Sequence, residues 1–150
     1  MDNCGVDDEE FSYILEGVSQ LNGFKSIVYK QNNFDDLSMQ SLRPILKKLR
    51  PNNLSELKLI DCKISSKISQ ELIFELAIRC NLEKLSLVHS NLTDSTFKVL
   101  ITVIRESQDL KHLDLSWCEK NSADFTSLYE VLSTNRTLTH LSLSWNTLFD

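Results

Sequence analysis

A phrase of eleven residues, L-x-x-L-x-L-x-x-N-x-L, recurs along this chain and constrains its fold more than any other feature. The clearest copy begins at Leu138, and earlier copies begin at steps of 28 residues at Leu110, Leu82 and Leu54. A fifth copy begins 30 residues further upstream, at Phe24. Self-similarity at one period indicates a stack of equivalent units, each of which buries its apolar face against its neighbours.

Each copy of the phrase predicts a short strand followed by an inward turn. Positions 4 and 6 of the phrase are apolar and alternate with other residues, as in a strand that buries one face. Position 9, where the chain is expected to turn inward, is occupied by Asn32, Cys62, Ser90, Cys118 and Asn146. The segments between the phrases have helical spacing, and one apolar position recurs in them at Ile14, Leu42, Leu72, Leu100 and Leu128.

The N-terminal part is predicted to comprise a flexible tail, residues 1–6, and a helix, residues 7–21. Phe11, Ile14 and Val18 lie on one apolar stripe, and the acidic residues 7–10 stand in the first turn, where the helix dipole favours negative charge. This helix keeps the register of the later ones, so we expect it to cap the first strand as half a repeat. Residues 7–150 are then a single domain, with repeats starting at residues 24, 54, 82, 110 and 138 and the last one incomplete.

The last copy carries a family resemblance. The stretch NRTLTHLSLSWNTLFD, residues 135–150, resembles the ribonuclease-inhibitor-like subtype of leucine-rich repeat proteins, and the resemblance covers residues 11–150. It implies an α/β solenoid, a right-handed β-α superhelix with a concave parallel sheet of about five short strands and convex helices. Members of the family include ribonuclease inhibitor, the activating protein of the Ran GTPase, innate immune sensors, tropomodulin's actin-binding end and axonemal subunits.

The end of the sequence predicts an open edge. Asp150 falls where the helix of the fifth repeat is expected to start, so Leu141, Leu143 and Leu148 would lie under an incomplete turn. A terminal repeat without a polar cap exposes apolar side chains that a neighbour would cover. We therefore expect contact with another chain, self-association, or a longer solenoid at this edge.

Composition narrows the setting of the protein. The net charge of −5 argues against nucleic-acid and anionic-membrane partners, and the apolar runs are too short for membrane insertion. The N-terminus lacks the apolar segment of a secretory signal. Two of the four cysteines occupy position 9 of the phrase, so the repeat itself accounts for them and a disulfide framework is not needed to explain them. This favours a protein of the reducing, cytoplasmic compartment over a secreted one. The family resemblance adds cytoskeletal and axonemal assemblies as possible settings.

The candidate binding residues lie between the buried leucines of the strands, on the face that is expected to be concave. Trp117 and Trp145 share position 8 on adjacent strands, which predicts rings about 5 Å apart that either anchor a partner or pack locally at the strand corner. His112 and His140 share position 3, where exposed polar side chains are favoured over a metal site because only Asp114 is near as a further ligand. Ile60 and Val88 predict a small apolar contact spot. The full candidate set is Trp117, Trp145, His112, His140, Asp114, Ile60, Val88, Lys58, Lys84 and Glu56.

These patterns predict a non-catalytic protein-interaction module or scaffold subunit that needs no cofactor and no metal. The three glycines of the chain cannot build a phosphate loop, and an open sheet carrying His112, Asp114 and Ser142 excludes no water and offers no oxyanion hole. A GTPase regulator that resembles the Ran-activating protein is one alternative, although no arginine falls on a concave position. A fragment of an innate immune sensor is another alternative.

Overall fold

The structure, a computed structural model, describes residues 8–21, 25–31, 44, 47–48, 54–64, 67–119 and 122–147. Four helices are described: α1 (Asp8–Gln20), α2 (Lys67–Arg79), α3 (Asp94–Glu106) and α4 (Ser122–Thr134). The described strands are β1 (Ser26–Lys30), β2 (Glu56–Ile60), β3 (Lys63–Ile64), β4 (Lys84–Ser86), β5 (Asn91–Leu92), β6 (His112–Asp114) and β7 (His140–Ser142). Each described helix has 13 residues, and none combines the length and apolar character that crossing a bilayer requires. Several predicted features lie outside the described residues: the tail, the start of the first repeat at Phe24, and the residues Asn32, Leu42, Leu148 and Asp150.

Five strands form one parallel sheet in the order β1-β2-β4-β6-β7. Equal positions of the repeated phrase stand side by side in it: Glu56 pairs with Lys84, Lys84 with His112, and His112 with His140. The prediction of an α/β fold with a parallel sheet of about five short strands is confirmed. A second parallel ladder, in which Lys63 and Ile64 of β3 pair with Asn91 and Leu92 of β5, was not predicted.

The core lies between the sheet and the helices. The position-4 leucines of the inner strands, Leu57, Leu85 and Leu113, are no more than 2% exposed and join one apolar cluster with the buried faces of the helices. At the N-terminal end, the ring of Phe11 in α1 meets the ring of Tyr29 in β1 edge-on, with centroids 5.4 Å apart. Helix α1 therefore packs against the first strand, and its described residues, Asp8–Gln20, fall within the predicted 7–21.

Helix α3 shows how the sequence between two phrases becomes helical. The Thr93 side chain accepts a hydrogen bond from the backbone N–H of Thr96 at 3.2 Å, which satisfies one of the free donors of the first turn. Asp94 in the first turn and Arg105 in the last turn complement the helix dipole. The buried face carries Thr96, Phe97, Leu100, Ile101, Val103 and Ile104, the spacing that an amphipathic helix requires.

Position 9 of the phrase joins neighbouring repeats through hydrogen bonds. Cys62 and Cys118 are buried and form no disulfide, and the Cys118 thiol donates to the Leu87 carbonyl at 3.0 Å. The Asn146 Oδ1 accepts from the backbone N–H of Cys118 at 3.0 Å, and its Nδ2 donates to the Leu115 carbonyl at 2.8 Å. The side chains of Cys62 and Cys118 thus satisfy buried backbone groups at the position where the chain was predicted to turn inward.

Replacing Asn146 with alanine is expected to lower the free energy of unfolding by about 2 kcal/mol, since a part-buried N–H and a carbonyl lose their partner. Asn91→Ala is the matched control, because the Asn91 side chain is exposed and its removal is expected to change stability by about 0.5 kcal/mol or less. Urea unfolding of the two variants measures the difference. Equal effects would show that the position-9 amide does not stabilise the turns.

The last strand of the sheet is less covered than the others. Leu141 in β7 is 39% exposed, whereas Leu113 at the same phrase position in β6 is 2% exposed. Leu138 and Leu143 are only partly buried against the core. The apolar exposure expected at this edge from the sequence is present at Leu141.

Candidate functional site

The residues between the buried leucines form the open face of the sheet, which no described helix covers. A hollow of about 620 Å³ lies on this face. Six of the candidate residues line it: Glu56, Lys58, Lys84, His112, Asp114 and His140. The strand register thus brings most of the sequence-predicted site residues together.

The acidic residues of the hollow are held by neighbouring side chains. Ser26 donates a hydrogen bond to Glu56 and, together with the nearby Lys58 and Lys84, holds the pKa of that carboxyl below its usual value despite partial desolvation. The Lys58 Nζ lies 3.2 Å from the Glu56 Oε1. Because one carboxylate faces two ammonium groups, the β2–β4 side of the hollow carries a small excess of positive charge.

The Asp114 carboxylate accepts two hydrogen bonds from Ser116. Its Oδ1 accepts from the Ser116 hydroxyl at 2.6 Å and from the Ser116 backbone N–H at 3.0 Å. The Ser116 hydroxyl lies 2.7 Å from that of Ser142. Asp114 and Ser142 therefore meet as expected, but no described hydrogen bond joins either of them to His112.

The two histidines form a stacked pair on the open face. The rings of His112 and His140 are 4.1 Å apart and within 8° of parallel. Partial desolvation, followed by repulsion from His140, Lys84 and Lys111, lowers the pKa of His112, while Glu83 acts in the opposite direction. Among the described residues, no group of three or more His, Cys, Asp or Glu side chains is arranged to hold a metal ion.

We expect the stacked pair of His112 and His140 to make the free energy of unfolding depend on pH. The pKa of His112 lies below its usual 6.5 in the folded protein, so between the two values the unfolded chain binds more protons than the folded one. The contribution of His112 to the free energy of unfolding is therefore fully present above pH 6.5 and is lost as the pH falls below that value. Urea unfolding from pH 8 to pH 5 should show a smaller decline for His112→Gln than for wild type. An identical decline in both proteins would show that the stacked pair does not resist protonation.

Position 8 of the phrase supplies a continuous row of side chains across the sheet, here named the rim row: Gln31, Asp61, His89, Trp117 and Trp145. The Gln31 Nε2 donates to the Asp61 Oδ2 at 3.2 Å, and the His89 Nδ1 lies 3.3 Å from the Asp61 Oδ1. The His89 and Trp117 rings meet edge-on at 6.3 Å, and the Trp117 and Trp145 rings stack at 4.6 Å with 14° between their planes. The predicted ring separation of about 5 Å is confirmed.

The backbone of the rim row explains why these rings are exposed. All five of its residues have positive φ angles, from 51° at His89 to 61° at Trp145. This left-handed conformation is uncommon for residues other than glycine, and it directs the chain into the inward turn just after the strand. Trp117 and Trp145 remain 46% and 72% exposed, so their packing is mainly against each other.

No protein-family model matches this chain, and no curated protein matches it. The functional interpretation therefore rests on the side chains of the open face and the rim row. The arginines that the structure describes lie away from both: Arg79 ends α2, Arg105 lies in α3, and Arg136 precedes β7. Arg43 and Arg50 lie outside the described residues.

The apolar spot predicted at Ile60 and Val88 is only half-exposed. Both side chains are partly buried, and the backbone carbonyl of Val88 accepts a hydrogen bond from the Asp61 N–H at 2.9 Å. Val28, at position 5 in β1, is 40% exposed and was not among the candidates. Its alternation with the buried Ile27 and Tyr29 was the sequence signal that could have identified it.

Proposed function

We propose that this chain is a leucine-rich repeat solenoid of the ribonuclease-inhibitor-like type and acts as a non-catalytic protein-binding module within a larger assembly. The in-register pairing of equal phrase positions and the position-9 hydrogen bonds between repeats support the solenoid. Each repeat then buries its neighbour's apolar face, as stacked repeats do. The resemblance favours a reducing, cytoplasmic setting such as a cytoskeletal or axonemal complex, and so do the three described cysteines, which are buried and form no disulfide.

The stacked and exposed tryptophan pair is the observation that carries this proposal. Tryptophans are enriched among the residues that dominate binding energy at protein interfaces, and burying one removes a large apolar area from water. Trp117 and Trp145 are the only two tryptophans in the sequence, and both lie in the rim row. Each ring is held by the other and by a turn of fixed backbone, so little freedom remains to be lost when a partner binds.

Site-directed photo-crosslinking tests the proposal. A photoreactive amino acid at Ser144, which is exposed and precedes Trp145, is expected to cross-link one dominant protein in the native lysate. The same amino acid at Ser133, exposed on α4, is the matched control and should not capture that protein. Capture of that protein from position 133 and not from position 144 would move the interface to the helices. No capture from either would contradict a protein-binding role for this chain.

A further inference from the structure

The rim row combines aromatic and acidic groups, and this combination restricts what can bind there. A cleft of about 230 Å³ opens beside Trp117, and Asp61, His89 and Glu119 are among the residues that line it. Asp61 is 43% exposed, and its carboxylate retains acceptor capacity beyond its contacts with Gln31 and His89. Glu119 is exposed and has no ion-pair partner among the described residues. No described lysine or arginine lines the cleft.

From these contacts we infer that the rim row binds an extended, arginine-bearing segment of a partner protein, an inference that rests on the proposed function. One guanidinium occupies the cleft between Asp61 and Glu119, where carboxylates provide charge-assisted acceptors. A second guanidinium stacks on the indole of Trp145, which is 72% exposed and lies beside the ring of Trp117. Arginine fits better than lysine because its planar group both stacks on indole and bonds carboxylates in pairs.

The spacing of the strands sets the spacing of the two arginines. Asp61 and Trp145 lie three strands apart, so about 14 Å separates them at the usual strand spacing of about 4.8 Å. An extended chain covers this distance in about four residues. The segment therefore carries arginines at positions i and i+4. A phosphate-bearing partner such as RNA is disfavoured because its backbone would face both carboxylates.

The two tryptophans make the test direct, since fluorescence excited at a wavelength that tyrosine does not absorb reports only on the rim row. The probe is the synthetic peptide (Gly-Arg)4, in which arginines recur at i, i+2 and i+4, titrated at 150 mM salt. The uncharged isostere (Gly-citrulline)4 and the anionic (Gly-Glu)4 are the comparison peptides. We expect a saturable fluorescence change with the arginine peptide, and binding of the citrulline peptide about tenfold weaker.

Two matched double variants distinguish binding at the cleft from attraction of the peptide by the net negative charge of the chain. Asp61→Asn combined with Glu119→Gln is expected to weaken binding of (Gly-Arg)4 about tenfold. Asparagine tolerates the positive φ of position 61, so the fold is retained. Glu106→Gln combined with Glu130→Gln changes the net charge equally on the exposed helices and should leave binding unchanged.

Three results would overturn the inference: equal binding of the arginine and citrulline peptides, preference for the glutamate peptide, or equal weakening in both double variants. The photo-crosslink from position 144 distinguishes this failure from failure of the proposed function. A partner captured there, with no preference for arginine peptides, would keep the binding module and reject the basic segment. Loss of both signals would reject both.

Discussion

Replacing Leu85 with alanine is expected to lower the free energy of unfolding by about 3 kcal/mol. Leu85 is 1% exposed, and its truncation leaves a cavity between the sheet and the helices. Leu141→Ala, at the same phrase position in β7, is expected to lower it by roughly 1 kcal/mol or less, because its side chain is 39% exposed and loses less buried area.

Urea unfolding of these two variants compares the same substitution at equivalent positions of two repeats. The difference between the two changes in free energy of unfolding measures how much a following repeat stabilises the repeat before it. If both substitutions destabilise the protein equally, then the edge at β7 is as well packed as the interior, and no open edge exists there.

Replacing Trp117 and Trp145 together with alanine is expected to weaken partner binding by at least about thirtyfold, equivalent to about 2 kcal/mol. Both rings lie on one exposed patch and stack on each other, so the double variant removes both indoles of the rim row. The measurement is the affinity of the purified variant for the protein captured by cross-linking.

The matched control for this loss is Tyr13→Ala combined with Tyr129→Ala. These tyrosines are 62% and 75% exposed on helices α1 and α4, and their removal deletes two exposed rings away from the rim row. The control is expected to bind like wild type. If the tyrosine variant loses binding and the tryptophan variant keeps it, the helices carry the interface instead.

The repeated phrase predicted most of the architecture because one constraint was repeated five times. A residue at a given phrase position meets the same position of the next repeat, so the sequence alone brought Trp117 beside Trp145 and His112 beside His140. It also predicted an inward turn of the chain at position 9, which Cys62 and Cys118 occupy.

The details of the site depended on backbone and side-chain geometry that spacing does not contain. The side chains at position 8 form an exposed row because their backbone φ angles are positive. The spacing of apolar residues in a sequence carries no information on the sign of φ. Asp114 lies near His112 in the sequence but bonds Ser116, because a short serine on the same turn reaches its carboxylate first. The β3–β5 ladder is only two residues long, too short for alternation to reveal.

Tryptophan fluorescence on addition of the captured partner tests the central claim most directly. Both tryptophans of the protein lie in the rim row, so a partner that docks there must change their environment. We predict a saturable blue shift, as burial removes the indoles from water, with a midpoint that matches the affinity measured independently by co-sedimentation. Saturated binding in co-sedimentation without any change in fluorescence would show that the partner docks elsewhere and would contradict the account.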